Sequence, residues 1–249
     1  NAKEIRVFSR SEIGQNGLRK QYPEVKFILG DIKDYHSVRD AVRGVDIVIH
    51  LAALTDAEGT LKTPGRVRKV NYKGLVRVAD ACHAHGVKLF FPSTTSVYGS
   101  QDKVVDENCK ELKPQSPYAR EKLNAEIYLA GLGKKGLKYV ICRFGTIFGY
   151  SVGMRYDTAV NVFTWQAING IPLTIWKTAW EQKRPYLYLG DCVKAINFII
   201  DRDIFDRQIY NVASGNFTVK DVVKTIKRFI HKISIDYIDS PIMNQLSYE

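Results

Sequence analysis

The chain has 249 residues, of which 45% are hydrophobic and 25% charged, and carries a formal net charge of +11. That length suffices for one large core, or for a core with a small attached lobe. The longest apolar runs, Val45 to Ala53 and Leu137 to Cys142, fall well short of the roughly 20 residues a membrane-spanning helix needs.

A basic balance draws nucleic acid, an acidic membrane surface or a diphosphate ligand alike. The lysines and arginines are spread along the chain, and the one dense cluster, Arg66-Val67-Arg68-Lys69, reads as a solvated helix face, so charge does not choose among these partners. The opening Asn1-Ala2-Lys3-Glu4 lacks the basic, apolar and small-residue succession of a secretory leader, and a cytoplasmic location is expected.

Glu4 to Ser9 reads as a strand, followed by a helical pattern at Ile13 to Gln21, a strand at Val25 to Leu29, a helix at His36 to Val42 and a strand at Val45 to His50. A long helix is expected over Val67 to His85, then a strand at Val87 to Phe91, a helix at Pro117 to Leu132 and a strand at Lys138 to Cys142. Strands rich in Val, Ile and Phe that alternate with amphipathic helices form a parallel sheet covered on both faces. Gly44, Gly86 and Gly136 stand where helices close on a left-handed residue.

After Gly149 the texture changes to mixed Trp, Pro, Tyr and polar residues. A helix at Asp157 to Asn169, a strand near Leu173, an extended run at Arg184 to Leu189, a helix at Gly190 to Asp201, a strand at Gln208 to Val212 and a helix at Val219 to His231 are expected. Residues 1–149 are thus read as the main α/β domain and 150–249 as mainly a smaller lobe, with strands returning to the main sheet. Cys82, Cys109, Cys142 and Cys192 lie far apart, outside any metal or redox spacing, and read as reduced and mostly buried thiols. His50, His83 and His85 share no ligand geometry, so no metal site is expected, and Trp165, Trp176 and Trp180 read as packing residues.

The chemistry concentrates in Ser116-Pro117-Tyr118-Ala119-Arg120-Glu121-Lys122. A spacing of four places the Tyr118 phenol and the Lys122 ammonium on one helical face. A free phenol titrates near ~10 and becomes a useful base at neutral pH only beside a fixed positive charge, which Lys122 supplies. Taken alone, this spacing equally fits an amphipathic helix with a snorkelling lysine. Upstream, Phe90-Phe91-Pro92 leads into Ser93-Thr94-Thr95-Ser96-Val97-Tyr98-Gly99, a buried strand ending in hydroxyls. The carboxyl ends of parallel strands are where ligands bind in open α/β sheets.

These two segments resemble the active-site segments of the extended short-chain dehydrogenases/reductases, the NAD-dependent epimerase/dehydratase kind. Gly30-Asp31-Ile32, His50-Leu51-Ala52-Ala53, Val70-Asn71, Arg143 to Gly149 and Arg184 to Asp191 extend the resemblance over nearly the whole chain. It implies a Rossmann-like, doubly wound parallel sheet with a smaller C-terminal α/β substrate lobe. The first strand, its glycine-rich turn and the first helix are expected to be absent from this sequence, and the chain to stop at Ser247-Tyr248-Glu249 before a terminal helix.

By the same resemblance Tyr118, Lys122 and Thr94 are the catalytic set. Thr94 shares the substrate oxygen with Tyr118, and Lys122 also holds the nicotinamide ribose. Asp31 and Ile32 hold adenine, Leu51, Ala52 and Ala53 lie along the cofactor, and Asn71 and Ser93 complete its site. Thr55, Thr95, Thr146, Asn161 and Arg184 fall to the substrate, with Arg184 suited to a diphosphate through its guanidinium fork.

Relatives that eliminate water or carbon dioxide carry an acid after the active-site Thr, where this chain has Thr95 and Ser96, so hydride and proton exchange without elimination fits better. Thr146 replaces a usual Asn. At Ser9-Arg10, where NAD-preferring relatives carry an acid, the residues favour the 2′-phosphate of NADP over NAD. The expected function is a nucleotide-sugar epimerase that transiently oxidises a sugar hydroxyl, at carbon 4, with bound NAD or NADP. The alternatives are an NADPH-dependent ketosugar reductase and, in another class, a non-catalytic relative serving as a binding module. The expected partner is a nucleotide-diphosphate sugar, with neither nucleic acid nor membrane, in a homodimer formed through the helices after Leu61 and Ser116.

Overall fold

Val, Ile and Phe runs form the strands of the protein, whose computed structural model describes residues 2–56, 59–101 and 105–239. The chain order begins β1 (Arg6–Ser9), α1 (Glu12–Gln21), β2 (Lys26–Leu29), α2 (Tyr35–Val42), β3 (Ile47–Ile49), α3 (Pro64–Val67) and α4 (Lys73–His85). It continues with β4 (Lys88–Thr94), α5 (Pro117–Gly133), β5 (Tyr139–Phe144) and β6 (Thr146–Phe148). The later part holds α6 (Ala159–Ile168), β7 (Leu173–Trp176), β8 (Lys183–Tyr188), α7 (Leu189–Asp201), β9 (Ile209–Val212), β10 (Gly215–Thr218), α8 (Val219–Lys227) and β11 (Ile235–Ile238). The expected chain end at Ser247 to Glu249 lies outside the described residues.

Strands β3, β4, β5 and β9 form a fully parallel sheet in that order. Every residue of β5 is buried, as a strand covered on both faces requires. On one face α2, α4 and α5 enclose Val38, Leu75, Leu89, Phe91, Leu129 and Ile141; on the other Phe90, Cys142, Phe144, Leu187 and Ile199 meet beneath α7. A third cluster, including Phe163, Leu173, Ile175 and Val223, holds α6, α8 and the parallel β7–β11 pair together.

The expected single sheet is divided. Strands β1 and β2 pair in parallel with each other and, among the described residues, share no ladder with β3. The Arg6 guanidinium instead reaches the carbonyls of Ala41 at 3.3 Å and Arg43 at 2.7 Å, at the end of α2.

The helix expected over Val67 to His85 is likewise interrupted, by a π-helical turn at Arg68–Tyr72 between α3 and α4. Such a turn leaves the apolar periodicity on either side intact and so escapes a reading by period. The short strands β6, β10 and β11 were not anticipated, and α8 ends at Lys227 rather than His231.

Candidate active site

Ser116 caps α5, its hydroxyl accepting from the Ala119 N–H at 3.1 Å, and Pro117 takes the first helical position. This start brings Tyr118, half-buried, to the carboxyl end of β4, with Lys122 one turn deeper and only 4% exposed. The Lys122 ammonium donates to the Pro92 carbonyl and lies over the Phe91 ring, 4.5 Å from its centre. Burial pushes Lys122 down to about 8, and the charge of Glu126 opposes that shift.

Beside it Thr94, 7% exposed, accepts from the Ser96 N–H at 3.2 Å, and the Thr95 hydroxyl donates to the Phe144 carbonyl at 3.3 Å. Gly99 closes this turn with φ +69; a Cβ there would meet the Lys113 carbonyl oxygen at 2.0 Å, so only glycine fits. His50, at the end of β3, is buried and held neutral, its pKa lowered to about 3 by burial and then by Lys122.

Several expected residues gather along the carboxyl ends of the strands. Arg10 and Asp31 lie 3.9 Å apart after β1 and β2, and Asp31 also takes the Lys33 N–H at 2.9 Å and the Lys33 ammonium at 3.2 Å. The Ser9 hydroxyl accepts from the Ser11 N–H at 3.1 Å. Leu51 and Ala52 are exposed after β3, while Ala53 is half-buried. Asn71, 2% exposed, both accepts from the Leu54 N–H and donates to the Leu54 carbonyl at 2.8 Å, pinning this turn to the π-helical segment. Ile32 packs against α4, where Gly74 makes room for it. These groups fit a dinucleotide, with the charged pair Arg10 and Asp31 after β1 and β2, and Thr94 and Lys122 at the end of β4, since ligands bind at the carboxyl ends of strands in open α/β sheets.

Other expected residues are engaged differently. Ser93 is turned inward, its hydroxyl donating to Glu126. Asn161 accepts from the Gly149 N–H at 3.1 Å and donates to the Arg155 carbonyl at 2.9 Å, so both ends of its amide tie down the segment after β6. Thr55 accepts from Arg155, which is also held by the Asp157 carboxylate. Arg184 donates to Gln182 at 3.3 Å, and Thr146 is half-buried on β6.

Glu126 and Arg155 carry no expectation from the sequence, and Tyr98 and Arg143 enter only as parts of longer segments. Glu126 had a readable signal, since it follows Lys122 by four on the same helix. Among the described residues there is no cluster of metal-ligating side chains and no helix long and apolar enough to cross a membrane.

The model of the NAD dependent epimerase/dehydratase family matches residues 1–213. The chain belongs to this family. An uncharacterized UDP-glucose epimerase, YtcB of Bacillus subtilis, is 33% identical over 80% of this chain and 63% of its own length. The mitochondrial L-threonine 3-dehydrogenase of Bos taurus is 26% identical over 89% of this chain and 61% of its own. The chain therefore spans about three fifths of these relatives. Among solved structures, Thermus thermophilus UDP-glucose 4-epimerase in complex with NAD superimposes with a TM-score of 0.79 at 24% identity, covering 98% of this chain and 90% of that one. A dTDP-glucose 4,6-dehydratase of Streptomyces venezuelae gives a TM-score of 0.86 at 19% identity, over 100% and 80%. At these identities the structures share the epimerase/dehydratase fold.

Proposed function

We propose that the protein is a nucleotide-sugar epimerase in which Tyr118 takes the proton from a sugar hydroxyl, at carbon 4, while Thr94 shares the same oxygen. Bound NAD or NADP supplies the hydride acceptor and donor when present. Lys122 keeps the phenol acidic by its charge and holds the ribose, and Tyr118 returns the proton once the ketone is reduced on its other face. The carrying observation is a buried ammonium one helical turn from Tyr118, fixed by Pro92 at the strand end that presents Thr94. The neighbours named as UDP-glucose 4-epimerase and UDP-N-acetylglucosamine 4-epimerase support the substrate class.

Residues 1–149 serve the dinucleotide and 150–249 mainly the nucleotide sugar, with Arg184 toward the diphosphate. Free cysteines, three of them buried, accord with a cytoplasmic location. The deciding experiment incubates full-length protein with UDP-, GDP-, CDP- and dTDP-sugars plus NAD or NADP and follows products by NMR. Epimerised sugar without net cofactor consumption is expected; stoichiometric NADPH loss would establish a reductase instead.

Cofactor choice rests on Arg10, 60% exposed and beside Asp31. A guanidinium contact to a 2′-phosphate is a charge-assisted bond, so Arg10→Ala should lower kcat/KM for NADP about tenfold while leaving NAD within about twofold. A parallel loss with both cofactors would remove this basis for preferring NADP.

A homodimer through α4 and α5 accords with a cavity of about 440 Å³ that opens on this face between Arg68, Tyr72, Asn124, Ile127 and Tyr128. Ile127 is 63% exposed there. Ile127→Glu places a charge in the centre of that contact and is expected to turn a dimer into a monomer, read by light scattering on a sizing column.

A further inference from the structure

We propose that the buried Glu126–Arg143 pair is a positioning device for Lys122, its carboxylate keeping the ammonium charged and in place against the Pro92 carbonyl. This rests on the reading of Tyr118 and Lys122 given above. Glu126 and Arg143 are 4% and 2% exposed, and they meet through two bonds, Nε to Oε1 at 3.1 Å and Nη2 to Oε2 at 2.6 Å. The Ser93 hydroxyl donates to the same Oε1. Behind the guanidinium lies the Tyr98 ring at 4.8 Å, itself fixed by its hydroxyl to Asn211 at 2.8 Å. The carboxylate is therefore clamped from β4 and β5 at once, one turn beyond Lys122 on α5.

A buried ion pair adds little stability over apolar side chains of the same shape, so the fold alone does not call for one here. Lys122 has the greater need. It is buried, held by a neutral carbonyl and an aromatic face. Among the described residues the charged and titratable groups that act on it are Glu126 on its own helix, which is paired with Arg143 of β5, and His50 from the end of β3, with Tyr118 and Glu121 on the same helix; β4 contributes the Phe91 ring and the Pro92 carbonyl. His50 is neutral, and Glu121 faces Arg68 at 3.6 Å and Asn124 at 3.0 Å.

Glu126 is the group whose charge opposes the effect of burial on Lys122. Arg143 holds that carboxylate in place through both of its oxygens. Against the cost of its own burial, Arg143 is raised above its ordinary value by the hydrogen bond and charge of Glu126. Because Ser93 immediately precedes Thr94, the same carboxylate also fixes the strand end that presents the hydroxyls.

The test titrates Lys122 directly in full-length protein labelled with 13C and 15N lysine, its NMR signal identified by its loss in Lys122→Met. A midpoint near about 8 is expected for the unaltered protein. Glu126→Gln should lower it by about one pH unit, a tenfold loss of ammonium at a given pH above the midpoint. General loosening of the core would admit water and raise the midpoint, so the downward shift in Glu126→Gln discriminates.

Should Glu126→Gln fail to fold, Glu126→Gln combined with Arg143→Met removes both buried charges, and its midpoint should likewise lie below that of the unaltered protein. Midpoints that rise or stay unchanged when the carboxylate is removed overturn the proposal. The titration needs no sugar and no turnover. Failure of the Tyr118 reading itself would appear separately, as turnover retained in Tyr118→Phe.

Discussion

Tyr118→Phe is expected to lower kcat for sugar epimerisation by about 10³-fold, the usual contribution of a positioned general acid and base. The phenyl ring keeps the shape at the start of α5, where Ser116 and Pro117 set the helix independently of the hydroxyl, so the melting temperature should stay within about 1 °C. Binding of the nucleotide moiety should also persist, since Arg184 and the lobe after Gly149 are untouched, which confines the loss to kcat. Lys122→Met should approach the same defect by another route, removing the charge that makes the phenol acidic. In the unaltered enzyme kcat should fall as pH rises through about 8, because Lys122 loses its proton there. A Tyr118→Phe protein that retained more than about a tenth of its turnover would rule out Tyr118 as the base.

Phe90→Ala is the substitution expected to cost most stability. Phe90 is 0% exposed in the central strand β4 and packs on Phe144, ring centres 6.3 Å apart, with Leu187 and Ile199 in the same cluster. Truncating such a side chain removes its transfer energy and leaves a cavity, together about 3–5 kcal/mol. For a chain of this size that corresponds to a fall in melting temperature on the order of 10 °C. Calorimetry of the two proteins reads it directly, and a fall below about 3 °C would mean that the sheet collapses around the vacancy. Because Phe90 points away from Lys122, the protein that remains folded at low temperature should keep its pH profile.

The strands and helices of the first half were legible because each buries apolar residues at a fixed period. β4 and β5 are buried almost throughout, and α4 carries Leu75, Val78, Ala79 and Cys82 on its inner face. Gly44, Gly86 and Gly136 do adopt positive φ, as their positions suggested. The π-helical turn before α4 was not legible, since it is set by a polar side chain, Asn71, that reaches the Leu54 backbone seventeen residues away. The short strands β6 and β10 escaped for a related reason: each of only three or four residues takes its form from pairing with β8 rather than from its own period.

The candidate site divides in the same manner. Tyr118 and Lys122 are four apart on one helix, so local geometry sufficed to pair them, whereas Thr94, at the end of the preceding strand, joined them only through the family resemblance. The engagement of Ser93 with Glu126, the use of both ends of Asn161 on its own loop, and the reach of Arg155 to Thr55 join residues that lie from six to a hundred positions apart.

By itself the sequence determined the alternation of strands and helices, the face shared by a phenol and an amine, and a hydroxyl run at the end of a buried strand, because these follow from the backbone's own periods. Only the tertiary structure decided that β1–β2 stand apart from the main sheet, that Lys122 is enclosed, and that Glu126 and Arg143 are locked together beneath it. Those outcomes depend on which strands become neighbours and on how far water is excluded between them, and no local spacing carries that information.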